Sequence, residues 1–159
     1  MNYIFEIKKF YTIIFIISLL SLLIALYIEF FLGYAPCKLC VYQRIPYLIA
    51  IFLTFLGISY FKNLIWLYAL LITFFSSFLL SGYHFGIEQE IFKEFSGCTG
   101  NSINITDKNE LLKLLNSEVN SCKNVEFNFF GLSLAAINLL LSFTIFILIL
   151  KVIKNEKNK

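Results

Sequence analysis

The chain has 159 residues, of which 59% are hydrophobic and 18% aromatic while only 14% are charged, and its mean hydropathy of +0.80 lies outside the range of soluble domains. That balance excludes an ordinary water-soluble enzyme and leaves little chain for a separate soluble domain. The net charge of +3 forms neither the basic stripe nor the reading motif of a nucleic-acid binder, so no nucleic-acid partner is expected.

Four apolar stretches, each near the roughly 20 residues that a spanning helix needs, predict an all-α membrane protein. The expected architecture is a four-transmembrane-helix bundle, a single integral-membrane domain over residues 1–159. The first helix covers about 10–31. Lys8 and Lys9 precede it as in an export signal, but the apolar run is too long for one and no small-x-small cleavage site follows. A short external turn at about 33–44 then carries Cys37, Cys40 and Arg44. The second helix spans about 45–61, with Pro46 fitting its first turn. Lys62-Asn63 leads into the third helix, about 64–83, and His84, the one histidine of the chain, follows it.

A longer external segment, about 85–128, holds Cys98 and Cys122. Within it Ile87, Ile91, Phe92 and Phe95 recur at helical spacing. So do Leu111, Leu112, Leu115 and Val119, behind a capping signal at Asp107 and Glu110. Both stretches read as short amphipathic helices on the membrane surface, or as a small extramembrane core in which the two apolar faces cover each other. The fourth helix runs over about 129–150, and the last nine residues form a solvated tail. Tyr11, Tyr27, Tyr34, Tyr42, Tyr60, Trp66 and Tyr83 fall near helix ends, as in an interfacial aromatic belt.

Four helices put both termini and the 62–63 turn on one side. That side collects seven basic residues against two acidic ones, whereas the other has six basic against eight acidic. The positive-inside rule therefore expects cytoplasmic termini and cysteines facing the opposite, oxidising compartment.

Cys37-Lys38-Leu39-Cys40 is a C-x-x-C pair on a turn leading into a helix, a spacing that brings two sulfurs within bonding reach. Cys98 lies between Gly97 and Gly100, where its sulfur is open to attack. Redox chemistry is the leading reading. Two inert structural disulfides, or one four-sulfur zinc site, are the alternatives, although zinc sites usually repeat the C-x-x-C spacing and no metal is expected. Arg44, four residues after Cys40 at the bilayer edge, favours redox work: a guanidinium near a helix N-terminus lowers a thiol's pKa and supplies the attacking thiolate. His84 is a secondary candidate for hydrogen bonding or proton relay. Glu29 reads as an interface residue, and Asn138, Ser76, Ser77 and Ser81 as contacts between helices.

Pro36-Cys37-Lys38-Leu39-Cys40-Val41-Tyr42-Gln43-Arg44-Ile45-Pro46-Tyr47, Gly82-Tyr83-His84-Phe85-Gly86-Ile87-Glu88, Cys98-Thr99-Gly100 and Phe130-Gly131-Leu132-Ser133 with Asn138 together resemble the disulfide-bond formation protein B (DsbB) family of bacterial inner-membrane thiol oxidases. The resemblance spans most of the chain. It implies four helices, a membrane quinone (ubiquinone or menaquinone) as electron acceptor, and an exported thioredoxin-fold partner of the DsbA type. By the same resemblance Cys98 meets the partner's thiolate, and Cys122 completes the loop disulfide and then exchanges with Cys37. Cys40 faces the quinone beside Arg44. A DsbA-type couple near about −120 mV lies roughly 80 mV above a glutathione-type couple at about −200 mV, an opposing difference of about 3.7 kcal/mol for two electrons. A more oxidising, lipid-soluble sink is therefore required.

Overall fold

Long runs of Ile, Leu and Phe are stable in lipid only as helices, because each backbone N–H and C=O must then be paired within its own segment. The structure, a computed structural model describing residues 2–60, 63–93, 122, 128–129 and 131–158, has four such helices: α1 (Asn2–Phe30), α2 (Lys38–Ser59), α3 (Ile65–Glu88) and α4 (Leu134–Lys157). Each includes 22 to 24 residues long and apolar enough to cross a membrane, which corresponds to about 33–36 Å of helix. The chain is a multi-pass membrane protein. Two-residue strands β1 (Asn128–Phe129) and β2 (Leu132–Ser133) pair antiparallel just before α4. Gly131, at φ +80°, makes their turn.

The helices start and stop where their capping chemistry dictates. Cys37 caps α2: its Sγ accepts the backbone N–H of Cys40 at 3.3 Å. The second helix thus begins at Lys38 rather than near 45, and Pro46 lies inside it rather than in its first turn. α3 runs to Glu88, past the expected end at 83, so His84 is a helix residue. It ends in a Schellman turn. Glu90 takes the left-handed conformation (φ +59°), its N–H donates to the Ile87 carbonyl at 3.0 Å, and the Ile91 N–H donates to the Gly86 carbonyl at 2.8 Å. That reversal folds Phe92 back over Gly86. The amphipathic helix expected from Ile87 onward is therefore replaced, as far as residue 93, by the end of α3 and a turn. The second expected amphipathic helix lies outside the described residues. α4 begins at Leu134, where the Ser133 hydroxyl caps it by accepting the Ala136 N–H at 3.1 Å.

Consecutive helices pack as α1–α2, α2–α3 and α3–α4, and α1 and α4 flank a cleft floored by α2. At the end away from the cysteines, all four helices share a core that includes Tyr11, Ala50, Phe74 and Ile149. Phe52, Phe55, Ile72 and Phe143 face outward and are exposed, as surfaces that meet lipid should be. Tyr11 corrects the aromatic-belt reading. It is fully buried, and its ring lies where a side chain on Gly57 would stand, with a Cβ there only 2.4 Å from Cε1. Small residues at such crossings let backbones approach closely where apolar attraction between helices is weak.

Gly57→Ala is accordingly expected to destabilise the detergent-solubilised protein by about 1–3 kcal/mol through overpacking. Gly82→Ala, whose Cβ would meet Leu139 Cδ1 at an ordinary 3.5 Å, should be tolerated. Unfolding of the two variants in parallel checks the contrast.

Candidate functional site

The start of α2, the end of α3 and the start of α4 meet at one end of the bundle. As the N-cap of α2, Cys37 lies just outside the span, and its Sγ donates to Cys40 Sγ at 2.8 Å. A disulfide of about 2.05 Å is then a sub-ångström approach away. Cys37 is buried, with Leu39, Ile87 and Cys122 around it and Cys40, Leu80 and Tyr83 packed alongside. The Cys37 thiol is pushed up to about 12 by its hydrogen bond to Cys40 and by burial, with His84 pulling in the opposite direction. The proton that the two sulfurs share stays on Cys37.

Cys122, expected as a member of the loop pair, is buried against this cluster. Its sulfur, that of Cys37 and a ring nitrogen of His84 all lie within 4.8 Å of one another. Cys98 lies outside the described residues. His84 is nearly inaccessible, with its Nε2 3.6 Å from Cys37 Sγ and 3.8 Å from Glu88 Oε1. The other carboxylate oxygen of Glu88 accepts a hydrogen bond from the Ser133 hydroxyl. Glu88 and Ser133 thus join the site unforeseen. The spacing from His84 to Glu88, one helical turn, was the available signal.

On its other side the His84 ring opens a polar chain through the bundle. Gln43 Nε2 lies 2.8 Å from His84 Nδ1, Asn138 Nδ2 donates to Gln43 Oε1 at 2.9 Å, and the Tyr47 hydroxyl donates to Asn138 Oδ1. Ser142 also donates to Asn138 Oδ1, at 3.3 Å, and lies 2.9 Å from Ser77. Asn138 and Ser77 therefore connect helices as expected, whereas Ser76 and Ser81 bond back to carbonyls of their own helix. Gln43 entered the sequence reading only as part of the motif around Cys40, with no role of its own; a carboxamide one turn after Leu39 in an apolar helix is the signal that marks it.

Arg44 pairs with Glu29 of α1, so Glu29 is an ion-pair partner and more than an interface residue. Arg44, Gln43, Tyr47 and Asn138 line the cleft of about 260 Å³, whose remaining walls are mainly apolar, from Leu22, Ala25 and Ile28 of α1 to Ile137 and Leu141 of α4. Cys40 is one helical turn before Arg44 and is not itself among the lining residues. The cleft chemistry fits a quinone head group: apolar walls, and a guanidinium with donors beyond those engaged by Glu29 to meet a carbonyl oxygen.

Comparison with known proteins gives the site its context. The family model described as "Disulfide bond formation protein DsbB" matches residues 8–152. An uncharacterized protein of Rickettsia prowazekii (strain Madrid E) is 33% identical over 138 residues, covering 82% of this chain and 78% of that protein. With a match over nearly the whole membrane domain and a C-x-x-C pair at the start of α2, the chain belongs to the DsbB family, membrane oxidoreductases of disulfide bond formation.

Proposed function

We propose that the protein is a protein-dithiol:quinone oxidoreductase that reoxidises a DsbA-like thioredoxin-fold protein in the periplasm and passes the electrons to a membrane quinone. It works in the bacterial inner membrane with both termini in the cytoplasm and its cysteines on the periplasmic side, an orientation supported by the distribution of lysines. The observation that carries the reading is the gathering of Cys37, Cys122 and His84 within 4.8 Å of one another, with Cys40 a further 2.8 Å contact from Cys37.

The thiol steps balance as follows. A partner thiolate attacks Cys98 and breaks the Cys98–Cys122 disulfide, forming a mixed disulfide and releasing Cys122 as thiolate. The partner's second thiolate displaces Cys98, so the partner leaves oxidised and both loop cysteines are reduced. Cys122 then attacks Cys37 in the Cys37–Cys40 disulfide and releases Cys40. Cys98 next displaces Cys37 from Cys122, which restores the loop disulfide and leaves Cys37 and Cys40 as the dithiol. Cys37 and Cys40 then give up two electrons and two protons, which a bound quinone would take up, and the Cys37–Cys40 disulfide closes again. Cys37 keeps the proton, so Cys40 is the sulfur presented to the acceptor. The Arg44 guanidinium would hold a quinone oxygen, and the apolar walls of the cleft would shield it from water.

The experiment mixes purified protein, a reduced thioredoxin-fold dithiol protein and a soluble quinone analogue, and follows quinone reduction. Cys40→Ser should abolish turnover; equal rates for variant and wild type would remove the assignment. Arg44→Met should raise KM for quinone about tenfold or more, the scale of losing a charge-assisted hydrogen bond. In the reduced protein, alkylation of Cys37 should keep accelerating with pH beyond the ordinary thiol value of about 8.5, because a group raised to about 12 becomes thiolate only near that pH. Cys40→Ala removes the largest cause of the shift, so the alkylation profile should move to lower pH. Mass spectrometry of the labelled peptide reads both profiles.

A further inference from the structure

Cys37, His84 and Cys122 have the spacing of metal ligands. The 3.6 Å between Cys37 Sγ and His84 Nε2 is close to the separation that sulfur at about 2.3 Å and nitrogen at about 2.0 Å take around a tetrahedral zinc ion. A ligating Nε2 must be bare, with the proton on Nδ1 donated to an acceptor behind the ring. Here the atom behind Nδ1 is the amide nitrogen of Gln43, at 2.8 Å, and an amide nitrogen only donates. Nδ1 therefore accepts, and in the neutral ring the proton sits on Nε2.

The direction of that bond is coupled to the orientation of the next carboxamide along. Gln43 cannot present its oxygen to the ring, because that oxygen receives Asn138 Nδ2 at 2.9 Å. Asn138 is held in turn by Tyr47 and Ser142, both donating to its Oδ1. Gln43 and His84 are buried, and reversal requires both carboxamides to turn over together.

We propose that Gln43 and Asn138 are positioning residues that lock His84 as its Nε2–H tautomer, aiming an N–H at the Cys37 sulfur and closing this Cys-His cluster to thiophilic cations such as Zn²⁺. The consequence at sulfur rests on the thiol-relay reading: the N–H faces negative charge as it forms on Cys37. The tautomer itself does not depend on turnover. Loss of quinone reduction with the tautomer intact would count against the function alone, and the opposite tautomer with turnover intact would count against this proposal alone.

The chain contains one histidine, so ¹⁵N-histidine labelling of the full-length, reduced protein in detergent gives one pair of ring signals. In mildly alkaline buffer Nδ1 should resonate as the lone-pair nitrogen and Nε2 as the N–H nitrogen. A proton on Nδ1 in the wild-type protein overturns the proposal whether or not any variant folds. Gln43→Glu places an acceptor behind the ring and should invert the two signals; unchanged signals in the folded variant would also overturn it. Zn²⁺ titration adds a readout that general loosening of the bundle does not mimic. In the wild-type background His84→Ala should change zinc affinity less than about twofold, whereas in the Gln43→Glu background it should cost at least tenfold, the scale of second-shell effects on metal sites. A tenfold loss in the wild-type background would show that the ring already ligates and would refute the lock.

Discussion

Inside a bilayer a polar atom has no water to turn to, and the hydrogen-bonded chain from Tyr47 through Asn138 and Gln43 to His84 exists under that constraint. Apolar packing alone sets the rotation of a membrane helix poorly, because lipid tails are as apolar as leucine; polar contacts between helices discriminate far better. In this protein those contacts run from α4 to α2 to α3 at one level. They turn α3 so that His84 faces the N-cap of α2, which is what brings a ring nitrogen to the Cys37 sulfur.

The two ends of the bundle are built by different means. Away from the cysteines, shape dominates: Tyr11 presses against Gly57, and a core of Leu, Ile and Phe side chains from all four helices closes around them. Toward the cysteines, polar pairing dominates, with Glu29 on Arg44 and Ser133 on Glu88 linking separate elements. A helix cap made from cysteine belongs to the second style, since a sulfur that completes the start of α2 is held in place by the backbone itself.

The four spans were legible in the sequence because hydropathy over 20 residues is a one-dimensional property, and the C-x-x-C pair was legible because its reach is local. Helix ends were less so. Pro46 suggested a start for α2, yet the Cys37 cap set it earlier, and the reversal at Glu90 ended α3 although the apolar periodicity continued. Contacts between helices were hardest to foresee. Arg44 was read as serving sulfur before its pairing with Glu29, 15 residues earlier, was visible, and Asn138 was read as a contact between helices without being tied to Gln43, its partner 95 residues away. A residue's type is written in the chain, but its neighbour across a helix crossing depends on rotations that no local spacing records.

The pairing of Glu29 with Arg44 and the seating of Tyr11 against Gly57 have a joint mechanical consequence. They pin α1 to α2 at two points separated by 18 positions of α1, about 27 Å of that helix, and the cleft-lining stretch from Ser21 to Ile28 lies between them. The first helix behaves as a beam clamped near both ends. The gauge of the slot is then governed by the clamps, while Leu22 and Ala25 shape only its surface, so a change at the distant clamp reaches the slot as a tilt of the whole wall.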